Sequence, residues 1–147
     1  VPRFVRQALS GADITVYGDG KQSRCFCDVR DVVPAIIELA AEPLAEGRVF
    51  NVGKQVEIAI LDLAHKVKEM TDSQSAIILV PYEQATEQGF EDMHRRVPDI
   101  TRIRELLGWE PRITLERSID DIITQMKQEG RGEPISERPV SQRVVVG

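Results

Sequence analysis

The sequence predicts one domain of the α/β class. It has 147 residues, 41% of them hydrophobic and 29% charged, which is ordinary composition for a soluble globular domain. At this length folding buries roughly 68–70% of the unfolded chain's surface, so no disulfide or structural metal is needed. Helical patterns alternate with short β-rich runs, as in α/β proteins. Only four such runs are visible, and they do not obviously form one sheet.

The first elements are a helix and two strands. A helix is predicted over residues 2–10, because Pro2 suits its first turn and Gly11 ends it. The run at 14–17 predicts a strand that ends at a Gly-Asp-Gly turn. A second strand is predicted over residues 23–27. The two strands and the turn between them together indicate a hairpin.

Two further helices surround an apolar run. Asp28 is predicted to cap a helix, and Asp31 also favours that helix's positive end. Residues 32–40 are nearly all apolar, which predicts burial on both sides of this helix. Residues 48–53 resemble a strand from the inside of a parallel sheet, and a helix is predicted from about 60 to 70.

The second half of the sequence predicts a strand, two helices and a C-terminal tail. A strand is predicted over residues 76–81, and a helix capped by Asp99, with Trp109 anchoring its end in the core. From Leu115, apolar residues recur at offsets 0, 4, 7, 8 and 11, the clearest amphipathic helix in the sequence. Residues 1–130 are therefore predicted to fold, and residues 131–147 to form a flexible tail.

The overall charge and hydropathy exclude two classes of protein. The net charge of −5 and a pI of about 5.1 argue against nucleic acid as the main partner. The longest apolar runs are far too short for a membrane-spanning helix. Without a signal-peptide pattern, a cytoplasmic location is expected. Because the sequence does not begin with Met, a longer natural chain remains open.

Positive charge is concentrated in two segments. Counting Lys and Arg against Asp and Glu, residues 1–30 and residues 95–117 each sum to +2, whereas residues 31–94 sum to −8. If Arg24 from the first segment meets Arg95 or Arg96 from the second, they form an anion site suited to a phosphate group. The alternative is solvated surface charge, which is the usual position of an arginine.

Two motifs have the residue spacing of known functional motifs. Gly18-x-Gly20-x-x-Ser23 resembles a dinucleotide-binding turn, but such a turn opens a helix and here a strand is predicted next. Tyr17-x-x-x-Lys21 has the spacing of a tyrosine base and its activating lysine, which depends on a shared helix face. Both interpretations are rejected.

Other reactive residues favour ordinary roles. Cys25 and Cys27 would lie on one face of a strand, and no further Cys completes a metal site with four ligands. They are interpreted as buried, unreactive thiols. Glu91 and Asp92 form either an acid–base pair or, as is more common for adjacent acids in a loop, a solvated pair.

Three blocks of sequence carry a resemblance. They are Val16-Tyr-Gly-Asp-Gly-Lys-Gln-Ser-Arg24-Cys-Phe with Asp28-Val-Arg-Asp31, then Val49-Phe-Asn-Val-Gly53, then Arg96-Val-Pro98-Asp-Ile with Leu106-Leu-Gly-Trp109-Glu-Pro111. Together they resemble the C-terminal half of the NAD-dependent epimerase/dehydratase family, the extended short-chain dehydrogenases that act on nucleotide sugars. The resemblance covers about residues 1–127. Gly89-Phe-Glu-Asp-Met is most similar to branches with UDP-glucuronate decarboxylases and UDP-sugar 4-epimerases.

The resemblance implies a Rossmann-type fold of which the NAD-binding N-terminal portion is missing. It places the strand of Thr15, Val16 and Tyr17 beside a uracil or thymine base. It assigns Arg24 and Arg96 to the diphosphate. A further implication, left open, is that Arg96 lies close to the sugar chemistry as an auxiliary catalytic group.

The implied function is the substrate-binding half of an NAD-dependent epimerase, dehydratase or decarboxylase. Such enzymes act on a UDP-sugar or dTDP-sugar through a 4-keto intermediate, and NAD takes the hydride. The catalytic Tyr-x-x-x-Lys helix and the glycine-rich turn are not in this sequence, so this chain alone is expected to be inactive. The implied partners are an N-terminal Rossmann domain and, in the full-length enzyme, a second subunit. The alternatives are a non-catalytic nucleotide-sugar-binding or interaction module, and an α/β domain whose arginines are plain surface charge.

Overall fold

A computed structural model describes residues 1–81, 93–130 and the backbone of 144–146. Within these residues the chain forms helices and short strands in alternation. The helices are α1 (Pro2–Ser10), α2 (Val29–Ala41), α3 (Ile60–Met70), α4 (Thr101–Leu107) and α5 (Leu115–Gln128), with a short 3-10 helix at Pro43–Ala45. The strands are β1 (Ile14–Tyr17), β2 (Ser23–Cys25), β3 (Glu57–Ala59), β4 (Ile77–Val80), β5 (Arg95–Arg96) and β6 (Val144–Val146). No helix in these ranges has the length and apolar composition needed to cross a membrane.

The first sheet has the strand order β1-β4-β6. β1 and β4 are parallel, with Ile14 opposite Ile77, and β6 runs antiparallel to β4. β6 lies within the segment that was predicted to be a flexible tail, so the prediction is wrong for these three residues. The rest of that predicted tail lies outside the described residues.

The second sheet has the order β3-β2-β5, in which β2 is antiparallel to β3 and parallel to β5. The predicted hairpin is therefore wrong, because β1 and β2 belong to different sheets. Gly18 and Gly20 both have positive φ and turn the chain away from β1. At Gly20 a Cβ atom would lie 2.8 Å from Cβ of Leu61, so the turn packs directly on the start of α3.

The larger core lies between the first sheet and the helices α1, α3 and α5. Their apolar faces meet there as the sequence periodicity predicts, and the central side chains are Phe4, Val5, Ile14, Leu63, Val67 and Ile119. The predicted helices over 2–10, 60–70 and from Leu115 are confirmed, as are the strands that became β1 and β4.

A smaller core lies beneath α2 and α4. It consists of Ala35, Ile100, Ile103 and Trp109, with partly buried apolar side chains packed around them. Trp109 is 9% exposed, so the prediction that it anchors the end of α4 is confirmed.

The predicted strand over residues 48–53 is absent. Val49 is 74% exposed, while Phe50 and Val52 pack against the smaller core. A strand requires a neighbour to receive its backbone hydrogen bonds, and among the described residues none runs beside this segment.

The apolar helix α2 is buried on one side only. Ala35 is fully buried, whereas Val29, Val33, Ile36 and Ile37 are between 46% and 66% exposed. These four positions follow the spacing i, i+4, i+7 and i+8, so they form one stripe, the α2 stripe. The described residues therefore cover only one side of α2, and burial on both sides would require a further partner for the α2 stripe.

Candidate functional site

The parallel pairing of β2 and β5 brings the two positive segments together. Its register places Arg24 opposite Arg96 and Ser23 opposite Arg95. Neighbouring strands lie about 4.8 Å apart. Two arginines that are 72 positions apart in the sequence, 24 and 96, thus extend from adjacent strands.

The two arginines of β5 have different surroundings. Arg95 forms a bidentate ion pair with Glu57, with distances of 3.0 Å from Nε to Oε1 and 2.8 Å from Nη2 to Oε2. The hydrogen bonds from Arg95 and from the Ser23 hydroxyl hold the pKa of Glu57 below its usual range. Arg96 is exposed, and its side chain forms no hydrogen bond or ion pair with another described residue. Arg96 is therefore the one able to bind an added anion.

A cavity of about 580 Å³ opens beside this pair. Its lining combines Arg24, Cys25, Cys27, Asn51, Val52, Gly53, Lys54, Arg96, Val97, Pro98 and Asp99. Three of these side chains are cationic and one is anionic. The cavity therefore favours an anionic ligand.

Two of the three cations are held in place by backbone oxygens. Nη1 of Arg24 donates to the carbonyl oxygens of Ser23 and Met93, both at 2.7 Å. Nζ of Lys54 donates to the carbonyl oxygen of Ile113 at 2.6 Å. A cation that is already oriented loses less conformational freedom when it binds a ligand.

The opposite wall joins two of the sequence blocks. Nδ2 of Asn51 donates to the carbonyl oxygen of Asp99 at 3.0 Å. At Gly53 a Cβ atom would lie 3.0 Å from Cγ of Pro98, so a larger residue would press against this contact. Asn51, Lys54 and Asp99 were not predicted as site residues, and the only signal for them was their place in or beside the resembling blocks.

Asp99 is the carboxylate in the lining. Its Oδ1 accepts hydrogen bonds from the backbone nitrogen of Thr101 at 2.9 Å and from the Thr101 hydroxyl at 2.6 Å. These bonds hold its pKa below the usual range. Asp99 therefore stays charged and will direct a phosphate toward the arginine side of the cavity.

The strand predicted to contact a base lies elsewhere. Thr15, Val16 and Tyr17 belong to the first sheet and do not line the 580 Å³ cavity. Thr15 and Val16 are buried, and Tyr17 is half-buried at the carboxyl end of β1. Only the short turn after Tyr17 separates this strand from β2.

The aspartates of the Asp28-Val-Arg-Asp31 motif connect distant segments. Asp31 accepts hydrogen bonds at Oδ2 from the backbone nitrogens of Arg112 at 3.0 Å and Ile113 at 2.8 Å, and its carbonyl oxygen accepts from Nε1 of Trp109. From the sequence, the only role predicted for Asp31 was a favourable interaction with the helix dipole. The structure shows that it also holds the segment that leads into α5.

Asp28 is confirmed as the cap of α2, because it accepts from the backbone nitrogen of Arg30 at 2.9 Å. It also accepts from the hydroxyl of Ser118 on α5 at 2.6 Å. Hydrogen bonds from the Arg30 side chain and from Ser118 hold the pKa of Asp28 well below its usual range. The motif therefore joins α2 to both ends of the 109–118 region.

The cysteines are less buried than expected. β2 ends at Cys25, so Cys27 lies beyond the strand, and both free thiols are half-buried at the cavity. Partial burial raises the pKa of both thiols, which favours the less nucleophilic protonated form. Within the described ranges no group of His, Cys, Asp and Glu side chains could hold a metal ion. Glu91 and Asp92 lie outside those ranges.

The Gly18–Gly20 turn leads into β2 and not into a helix. Its rejection as a dinucleotide-binding turn is therefore confirmed. A pyrophosphate of NAD needs the amino end of a helix directly after such a turn. The residues of this turn consequently do not fit NAD.

Comparison with known proteins agrees with this architecture. A family model described as GDP-mannose 4,6 dehydratase matches residues 1–122. A UDP-N-acetyl-alpha-D-glucosaminuronate decarboxylase from Bacillus cytotoxicus is 38% identical over 128 residues, which are 87% of this chain and 40% of the relative.

Solved structures extend the comparison to the fold. UDP-glucose 4-epimerase from Thermotoga maritima, solved with UDP-glucose, matches with a TM-score of 0.72 and 28% identity over 86% of this chain and 38% of its own. UDP-glucuronic acid 4-epimerase from Bacillus cereus, in complex with UDP-glucuronic acid and NAD, matches with a TM-score of 0.72 and 22% identity over 86% and 39%. The chain thus spans about two fifths of the length of these three proteins. The sequence blocks, the fold and these matches together show that the chain belongs to the NAD-dependent epimerase/dehydratase family.

Proposed function

We propose that this chain is the substrate-binding part of an NAD-dependent enzyme that epimerises, dehydrates or decarboxylates a UDP-sugar or dTDP-sugar. The observation that carries the proposal is the placement of Arg24 opposite Arg96 in the lining of the 580 Å³ cavity. The named activities of the matched decarboxylase and epimerases support this class of reaction.

The two arginines suit a diphosphate. A guanidinium group binds phosphate oxygens through two parallel N–H donors. Because Arg24 and Arg96 extend from adjacent strands, each can bind one phosphate of the same ligand, and Lys54 adds a third positive charge from the neighbouring wall. The proposed auxiliary role of Arg96 in the sugar chemistry is compatible with its exposed position at this cavity.

The nucleoside is assigned to β1. Thr15, Val16 and Tyr17 end at the turn that joins the two sheets, so a base beside Tyr17 and a diphosphate at Arg24 would lie at the two ends of one short segment. Ligands of α/β folds bind at the carboxyl ends of parallel strands, which is where Tyr17 lies.

The remaining functions belong to a larger cytoplasmic enzyme. In this proposal a Rossmann domain supplies the NAD site and the catalytic base, and the full-length enzyme is a homodimer. The α2 stripe is the surface that we assign to that domain, because four large apolar side chains on one helix face are normally covered by a partner. This chain alone is expected to bind the nucleotide part of the substrate and to be inactive.

The diphosphate site can be tested by calorimetric titration with UDP. Arg24→Ala and Arg96→Ala should each weaken binding by about 1.5–3 kcal/mol, roughly 10- to 150-fold, because each removes hydrogen bonds between charged groups. Arg96 is exposed, so its effect is expected at the lower end of this range.

Arg102→Ala is the matched control. Arg102 carries the same charge on the nearby helix α4, but its Nη1 donates to the carbonyl oxygen of Val49 and it is not part of the cavity lining. Its affinity for UDP should stay within about twofold of the wild type. UDP affinity that is the same in the wild type, Arg24→Ala and Arg96→Ala would refute the proposed site.

A further inference from the structure

β1 lies at the edge of its sheet, and side chains of α1 cover that edge. β1 is the terminal strand of its sheet among the described residues. In a parallel strand, successive residues direct their backbone groups to opposite sides. The backbone nitrogens of Ile14 and Gly18 donate to carbonyl oxygens of Ala76 and Val80 on the β4 side. The backbone N–H and C=O groups of Thr15 and Tyr17 therefore point away from β4.

Side chains of α1 take the place of a neighbouring strand at Thr15. The backbone nitrogen of Thr15 donates to Oε1 of Gln7 at 3.2 Å, and its carbonyl oxygen accepts from Nη2 of Arg3 at 2.8 Å. Nε2 of Gln7 also donates to the Thr15 hydroxyl at 2.9 Å. Gln7 is fully buried, so this amide is fixed between the helix and the strand.

Arg3 has a second contact at Tyr17. Its guanidinium carbon lies 4.5 Å from the centre of the Tyr17 ring, a cation–π geometry. On the backbone side, Nε2 of Gln22 donates to the carbonyl oxygen of Tyr17 at 3.1 Å. The strand and the ring at its end are thus held by three side chains from outside the sheet.

We propose that Arg3 and Gln7 are positioning residues for nucleoside recognition. They fix the backbone of Thr15 and the ring of Tyr17, and so set the affinity for the base and ribose without contributing to the diphosphate contacts. This inference rests on the proposed function, which places the base beside β1.

The test compares the affinities for UDP and for inorganic pyrophosphate in the same variants. Arg3→Ala should weaken UDP binding roughly five- to tenfold, the combined effect of a hydrogen bond and a cation–π contact, and leave pyrophosphate binding within about twofold. Gln7→Met should have the same pattern. Arg3→Lys keeps the charge but lacks the planar fork, so it should recover only part of the UDP affinity.

Arg6→Ala and Arg24→Ala complete the design. Arg6 carries the same charge on the same helix, and its removal should change neither affinity. Arg24→Ala should weaken both ligands. If Arg24→Ala leaves pyrophosphate binding unchanged, the proposed diphosphate site fails. If Arg24→Ala behaves as expected but Arg3→Ala has no effect on UDP, or affects both ligands equally, only the positioning role is overturned. Arg3 is exposed, so its variants should fold even if Gln7→Met does not.

Discussion

Replacing Ile119 with Asp should unfold the domain under conditions in which the wild-type chain is folded. Ile119 has no exposed surface and lies in the larger core, on the face that α5 presents to α1 and the first sheet. A carboxylate there would lose its hydration among apolar side chains, so it would cost more than about 4 kcal/mol. Domains of this kind have about 5–15 kcal/mol of stability in total. Far-UV circular dichroism during heating should therefore show lost helix or a very low midpoint.

Thr124→Asp is the matched control for this prediction. It introduces the same carboxylate on the exposed side of the same helix. Its midpoint should lie close to that of the wild type. A cooperative, near-native transition in Ile119→Asp would mean that α5 does not pack on the larger core as described.

Replacing Asp31 with Ala should lower the free energy of unfolding by about 2–3 kcal/mol. The change removes a charged acceptor from the backbone nitrogens of Arg112 and Ile113, and hydrogen bonds to charged groups contribute about 1.5–3 kcal/mol. Asp31→Asn keeps one acceptor oxygen, so its effect should be smaller. Urea denaturation followed by circular dichroism measures the difference.

Asp62→Ala distinguishes two explanations for a loss of stability in Asp31→Ala: the loss of the hydrogen bonds to Arg112 and Ile113, or the loss of a charge at the helix dipole. Asp62 also lies in the first turn of a helix, α3, and is exposed. A helix-dipole contribution alone is worth about 0.3–1 kcal/mol at either position. Equal small losses in the two alanine variants would contradict the bridging role of Asp31.

Local signals in the sequence were sufficient to locate the helices, although the N-cap of α4 is Ile100 and not the predicted Asp99. Asp28 caps α2, and Gly11 and Gly108 end α1 and α4 in left-handed conformations, as their residue types predict. The strands were harder, because an apolar run does not reveal its neighbours. Residues 48–53 have strand composition but no adjacent strand in the described chain.

The covered and exposed sides of α2 could not be predicted for a related reason. Its composition is apolar almost all round, so periodicity cannot separate the side that meets the smaller core at Ala35 from the exposed α2 stripe. That distinction depends on which elements are present to cover the helix.

The candidate site was partly predictable. Charge counting and the family resemblance both indicated Arg24 and Arg96, and β5 places them side by side. Asn51 lines the same cavity from the segment 48–53, which local patterns assigned to a strand, and Lys54 follows directly after that segment. Contacts such as those of Asp31 with residues 112 and 113 connect positions about eighty residues apart, and one sequence contains no periodic signal for them.

The single tryptophan of the sequence, Trp109, lies in the smaller core. Its fluorescence therefore reports the loss of that cluster, whereas most of the helical signal comes from α1, α3 and α5 around the larger one. If the two optical signals change together, the links made by Asp28 and Asp31 join both clusters into one cooperative unit. If the fluorescence changes first, the region around α2 and α4 is a separate foldon, which opens while the rest of the domain stays native.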